Sequence, residues 1–275
     1  MSSTGGAEPK VVLVTGASSG IGKAIAEHLA ACGHRTFGTS RHPATAASGA
    51  VELLPMDVDD DASVTRGVAE LLARAGRLDA VVNNAGWALM GSVEETSVAE
   101  ARAQMETNFF GVLRVCRAVL PAMRAQGRGH IINVSSLGGI FGMPFSGLYS
   151  ASKFAVEGLS ESLRLETRRM GIRVVLIEPG DTQSHLPLTR RTAKAAEGES
   201  AYREVFERFK AQQAKDEAKA PAPDAVARLV ERILRDPSPR MRYSVGMLGQ
   251  RVVLPLRRFL PQRLFERILG AALGV

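Results

Sequence analysis

Residues 15–22, reading Thr-Gly-Ala-Ser-Ser-Gly-Ile-Gly, constrain this chain more than any other stretch. They join a short β-branched apolar run at residues 10–14 to a helical segment from Ile21 to about Cys32, which Gly33 closes. A buried strand that turns at once into a helix leaves unpaired N–H groups at the helix start. Glycines keep such a turn tight and let another backbone or an anion come close. The spacing, Gly-x-x-x-Gly-x-Gly, departs from the G-x-G-x-x-G pattern of many dinucleotide sites. A glycine-rich turn without a ligand is the plain reading. Its position between an apolar strand and an apolar helix favours a pyrophosphate cradle.

Downstream, strand and helix alternate with short connections. Further strands are expected at residues 35–39, 51–54, 80–83, 130–134 and 173–177. Between them helices are expected at 61–75, from Ser97 to about Ala125, and from Tyr149 to about Met170, the last closed by Gly171. Ser97 and Glu100 have the spacing of a capping box. This alternation predicts an α/β, doubly wound parallel sheet with helices on both faces. Residues 1–9 are expected to be a flexible N-terminus and 10–249 one domain with a lid at about 181–220. Residues 250–275 form an apolar, basic tail. A polar helix is expected at 201–218, a helix capped by Asp224 and running to Arg235, and a last strand at 241–245.

A second pattern carries chemistry. Tyr149 and Lys153 are four residues apart, so on a helix they share one face a turn apart. A phenol has a pKa of about 10, and a nearby positive charge lowers it by roughly 1–3 units. So tuned, it can pass a proton to or from an alcohol oxygen. Ser136, thirteen residues upstream, offers a hydroxyl for the same oxygen, with Ser135 as its rival. Alone, a Tyr-x-x-x-Lys is a solvated helix face; beside a dinucleotide cradle it is a proton-transfer pair.

Charge and composition exclude several classes. Of the net +7, residues 240–275 carry +6, with seven arginines against Glu266 alone. The remainder is close to neutral, so nucleic acid is not an expected partner. Cys32 and Cys116 fall in expected helices and fit small core residues of a reducing, cytoplasmic compartment. The five histidines lack ligand spacing, so no metal is expected. Residues 1–10 have no apolar core like that of a signal peptide, and no run approaches the ~18 apolar residues of a membrane span.

Taken in order, residues 15–22, Asp57, Asn83-Asn84-Ala85-Gly86, Asn108, Ser136, Tyr149 with Lys153, and Pro179-Gly180 resemble the short-chain dehydrogenase/reductase family through about residue 190. The flavour is that of hydroxysteroid and retinol dehydrogenase-like members. The resemblance implies a Rossmann-type single domain, usually a homodimer or homotetramer, that moves a hydride between a nicotinamide and a carbonyl carbon. It implies that Ser136 orients the substrate oxygen and that Tyr149 is the acid or base. Lys153 would hold the nicotinamide ribose and depress the Tyr149 pKa, and Asn108 would support a proton-relaying water. The cofactor would meet Gly16, Ser18, Ser19, Gly20, Ile21 and Gly22, then Asp57 and Val58, then Asn84, Ala85 and Gly86. Pro179, Gly180, Thr182 and Ser184 would meet its nicotinamide end. Ser184 stands where the family often has Thr.

Strand two ends in Ser40-Arg41, with no acid to accept from ribose hydroxyls. A hydroxyl and a guanidinium suit a 2′-phosphate, so NADP(H) is expected ahead of NAD. The plain reading of Arg41 is a solvated loop charge. Trp87, Met90, Phe141, Met143, Phe145 and Leu186, with Leu89, Leu148 and Leu188, fall in or near the loops after the strands. They predict a small apolar carbonyl or alcohol substrate, a steroid, retinoid or long-chain aldehyde among the options, unless they merely pack beneath a lid. In the tail, Phe265, Ile268, Leu269 and Ala272 have helical spacing beside Arg263 and Arg267. The tail reads as a pocket cap or subunit contact, or more sharply as a peripheral contact with anionic lipid. Two other functions compete: a non-catalytic NADP(H) sensor on the same fold, and a membrane-surface module.

Overall fold

The structure, a computed structural model, describes residues 8–41, 49–183, 190–247, 249 and 259–275. Strand β1 (Val11–Val14) shows how the layers form. Its side chains alternate, with Val11 and Leu13 entering one apolar cluster and Val12 and Val14 the other. Both faces are therefore covered, as a continuous β-branched run requires.

The chain continues through α1 (Gly20–Ala31), β2 (Arg35–Ser40), β3 (Val51–Pro55), α2 (Asp61–Ala75) and β4 (Ala80–Asn83). Next come β5 (Ala88–Met90), α3 (Val98–Met105), α4 (Gly111–Gln126) and β6 (Gly129–Val134). Then follow α5 (Gly147–Thr167), β7 (Ile172–Pro179), β8 (Arg190–Thr192), α6 (Arg203–Lys219), α7 (Asp224–Arg235), β9 (Arg242–Val245) and α8 (Gln262–Leu273). The main sheet has the order β3-β2-β1-β4-β6-β7-β9, every pair parallel. Helices α2, α4 and α5 pack one face through Leu71, Val115, Met123 and Val156. Helices α1 and α7 pack the other through Ile25, Leu29, Val230 and Ile233. The chain runs outward from β1 to β3 and returns to β4, so the topological switch lies between β1 and β4. Ligands of such sheets bind there, at the carboxyl ends of the strands.

The expected strands and helices are present, with instructive differences. Helix α1 starts at Gly20, so the end of the glycine turn is already its first turn. The Ser97–Glu100 capping box forms on both sides, but the helix after it does not run through. Residues Glu106–Phe110 form one π-helical turn between α3 and α4, carrying Asn108. Such bulges concentrate at functional sites. Asp224 is the first residue of α7 rather than its cap; Pro223 takes that position, and its fixed φ favours a helix start. Helix α6, expected to be polar, buries Phe206 and Phe209. A small second sheet, β5 with β8, was not expected. Ser184, Leu186 and Leu188, the N-terminal residues 1–7 and residues 250–258 lie outside the described residues.

Candidate active site

A cavity of about 850 Å3 runs along the carboxyl ends of the strands from Ser40 and Arg41 to Tyr149 and Thr182. Its floor at the switch point is the glycine turn. Asn84 binds this turn from just beyond β4: its Nδ2 donates to Thr15 O at 3.0 Å and to Gly16 O at 3.3 Å. The Thr15 hydroxyl accepts in return from the backbone N–H groups of Asn84 and Ala85, each at 3.0 Å. Gly22 sits under this knot. A Cβ there would lie 2.3 Å from both Asn84 Nδ2 and Gly16 O, so no side chain fits. Ser18, Ser19, Gly20 and Ile21 line the cavity at the start of α1, where free N–H groups and the helix dipole favour a phosphate.

The chain therefore fits a dinucleotide along this wall. Gly16, Asp57, Val58, Ala85, Gly86, Pro179 and Gly180 line it, with Ser40, Arg41, Asn84 and Thr182. Thr39, Asp59 and Asp181, which the sequence reading did not single out, line it as well. Asp59 is held by Thr107 Oγ1 at 2.9 Å, and burial, the larger effect, raises its pKa.

At the other end, Tyr149 and Lys153 lie on α5 facing the exit of β6. The Lys153 ammonium is buried and donates to Val134 O at 2.9 Å. It stands 5.7 Å from the centre of the Tyr149 ring. Ser136 and Ser135 both line the cavity; the Ser136 hydroxyl accepts from the Gly138 N–H at 3.1 Å and lowers the phenol's pKa from beside it. The electrostatics differ from the expectation that Lys153 lowers the phenol's pKa. Burial pushes the Tyr149 hydroxyl up, while Ser136 and then the Arg190 charge pull it partly back. Burial also lowers the Lys153 ammonium to about 8, against the opposing charge of Glu157. The low dielectric that brings the two groups together penalises the charged form of each.

Asn108 does not border the cavity. Its amide is fully buried and closes a two-way bond with Trp87, accepting from the Trp87 N–H at 3.0 Å and donating to Trp87 O at 2.9 Å. It also donates to Ser152 Oγ at 3.1 Å, tying the π turn to α5. Its side chain thus positions the loop after β4.

Of the expected substrate wall, Trp87, Met90, Phe141 and Met143 line the cavity. Phe145 does not. It packs with Met90, Phe206 and Phe209 beneath α6, with a positive φ of 54°. Leu89 and Leu148 are also off the wall, because period-2 and period-3.6 neighbours of a lining residue point elsewhere. The wall gains Arg190 and Arg191 from β8, Gln213 and Asp216 from α6, and Leu269, Ala272 and Leu273 from α8. Arg191 lies over the Trp87 ring at 4.4 Å. Phe265 anchors α8 by an edge contact with Phe141, 6.1 Å between centroids. The tail helix therefore caps the pocket.

The sequence model of the short chain dehydrogenase family matches residues 10–195. A 3-ketodihydrosphingosine reductase of Bacteroides thetaiotaomicron is 39% identical over 262 residues, 95% of this chain and 97% of that protein. Among solved structures, a metagenomic short-chain oxidoreductase in complex with NADP is 30% identical, with a TM-score of 0.67 over 86% of this chain and 96% of that one. A short chain dehydrogenase/reductase from Burkholderia phymatum in complex with NAD is 26% identical, with a TM-score of 0.77 over 91% of this chain and 93% of that one.

Proposed function

The chain belongs to the short-chain dehydrogenase/reductase family, oxidoreductases of CH–OH and carbonyl groups, and we propose that it is an NADP(H)-dependent reductase of long-chain apolar ketones. One observation carries the reading: Ser136, Tyr149 and the buried Lys153 stand together at the far end of the same cavity that begins at the glycine turn. A non-catalytic sensor has no use for that set, and the alternative is not favoured.

The nicotinamide, when bound, supplies or takes the hydride. The protein's residues do the rest. Ser136 and Tyr149 hold the carbonyl oxygen, and Tyr149 gives it the proton in reduction or takes it in oxidation. Lys153 would hold the nicotinamide ribose, while Ser136 and the Arg190 charge favour the phenolate as the proton leaves. Asn108 keeps Trp87 and the π turn in register with α5; a water held at this turn to relay protons is part of the proposal. Thr182, with Ser184, would meet the carboxamide.

NADP(H) is favoured over NAD by Arg41 and Ser40 at the cavity's end and by the absence of an acid where β2 ends. Solved relatives hold one nucleotide or the other, so the support is from this chain's own residues. The substrate class is supported by Trp87, Met90, Phe141, Met143, Leu269 and Leu273, and by the long-chain keto compound in the name of the Bacteroides relative. On the outer side of α8, Leu264 and Ile268 are exposed beside Arg263 and Arg267, and Phe259 is 79% exposed. This supports peripheral contact with anionic lipid. No helix among the described residues is long and apolar enough to cross a membrane. Exposed Phe110 and Leu165 support a homo-oligomer, and the free thiols Cys32 and Cys116 a cytoplasmic setting. A panel of apolar ketones of increasing chain length, followed at the cofactor absorbance with NADPH and NADH, tests the reading. Turnover of none of them overturns it.

A further inference from the structure

Helix α5 continues the active-site face away from the pocket. Tyr149, Lys153, Glu157 and Glu161 recur every fourth residue, each one turn beyond the last. Tyr149 and Lys153 border the cavity, Glu157 is buried, and Glu161 reaches solvent. From β9, Arg242 gathers three carboxylates. Its Nε lies 3.1 Å from Glu157 Oε2 and 3.4 Å from Glu178 Oε1, and its Nη2 donates to Glu161. Glu178, near the end of β7, is buried and accepts from the Ser244 hydroxyl at 2.7 Å. From the exit of β6, Ser135 turns its hydroxyl toward Glu157 without closing a bond of ordinary geometry. Gly139 permits the enclosure: a Cβ there would stand 2.6 Å from Ser135 Oγ, 3.2 Å from Lys153 Cβ and 3.3 Å from Glu157 Cγ.

This is not a cluster that packing alone would retain. Glu157 Oε1, Glu178 Oε1 and Ser135 Oγ are all buried without a hydrogen-bond partner, which weakens a fold. Nor do Lys153 and Glu157 satisfy each other, since the ammonium donates to Val134 O instead. Their coupling is a field effect across one helical turn.

We propose that Glu157, anchored by Arg242, is a positioning residue whose negative charge keeps Lys153 in its ammonium form. The charges facing this site come from each element around it: Lys153 and Glu161 on α5, Arg242 on β9 and Glu178 on β7. Burial draws Lys153 toward its neutral amine, and the Glu157 carboxylate opposes that. Burial likewise draws Glu157 toward its neutral acid, helped by Glu161 and opposed by Arg242. The order of dependence is therefore Arg242, then Glu157, then Lys153. Substitution at the far end should be felt at the pocket.

The direct test reads Lys153 itself, by the 13Cε resonance of labelled lysine, assigned through its loss in Lys153→Met. In the parent it should titrate near pH 8. In Glu157→Gln, an isosteric change, the midpoint should fall by about one unit. Arg242→Met should lower it in the same direction, and Arg242→Lys should restore most of the shift. The alkaline limb of ketone reduction should follow. That second readout rests on the proposed function, whereas the resonance does not. If the resonance moves but no ketone is reduced, the role of Glu157 stands and the functional reading falls. If Lys153 titrates alike in the parent and Glu157→Gln, the proposal is overturned, even where the variants are less stable.

Discussion

The Lys153 ammonium lies 5.7 Å from the centre of the Tyr149 ring, yet its hydrogen bond goes to the carbonyl of Val134, 2.9 Å away. The lysine is fixed by the strand end rather than by the phenol. It presents its charge without spending its hydrogen bonds on the partner. One N–H stays on Val134, and the others remain available to a ligand in the cavity.

The first prediction follows from that geometry. Lys153 has a folded pKa lowered by burial to about 8, so its charge is complete below that value and is lost as pH rises through it. Tyr149 is pushed above its ordinary value and titrates later. Ketone reduction should therefore lose kcat/KM as pH rises past about 8. A rate constant through pH 10 would remove Lys153 from the chemistry.

A second concerns the nucleotide. Arg41 and Ser40 border the cavity where β2 ends. A charge-assisted hydrogen bond to a 2′-phosphate contributes about 1.5–3 kcal/mol, which is roughly tenfold or more in affinity. NADPH should be preferred by that factor, and Ser40→Asp with Arg41→Ala should reverse the order. Equal use of both nucleotides by the parent would mean that Arg41 does not meet the ligand.

A third tests the cap. Leu269 and Leu273 line the pocket from α8 while Phe265 holds the helix on Phe141. Leu269→Trp should raise KM for long-chain ketones several-fold and leave short ones nearly unchanged, because only the distal volume is filled. Equal effects on both would place the substrate elsewhere.

A fourth concerns the outer side of the same helix. Sedimentation with anionic vesicles should carry the protein down at low salt. Binding should weaken as salt rises, since the screening length is about 10 Å at 0.1 M. Arg263→Gln with Arg267→Gln should reduce it. Salt-insensitive binding, or equal binding to neutral vesicles, would count against the lipid contact.

Much of this was legible in the chain. Residues buried on both faces of a parallel sheet must be apolar and β-branched, and Val11 to Val14 announce such a strand. Gly22 is readable because only a hydrogen-sized side chain fits between Gly16 and Asn84. The rest depended on contacts between residues distant in sequence. Nothing in Glu106–Phe110 marks a π turn, and the partner of its Asn108 amide, the Trp87 backbone, lies twenty-one residues away. Phe145 shares the composition of the pocket residues, and only the position of α6 shows that it packs outside the wall. The phenol's pKa was expected from charge alone, whereas burial outweighs it. The grouping of Glu157, Glu178 and Arg242 needs three elements to meet, and sequence separates them by up to 85 positions.

In the proposed function Tyr149 transfers the proton at a site that binds the dinucleotide independently of it. Tyr149→Phe removes one oxygen from the cavity wall and leaves the glycine turn and Lys153 in place. The decisive measurement is kcat/KM for reduction of a long-chain ketone by this variant, with NADPH affinity measured on the same preparation by fluorescence titration. Affinity should stay within a few-fold of the parent and turnover should fall by about 10²–10⁴. A variant that binds NADPH normally and keeps a tenth or more of the parent turnover would contradict it.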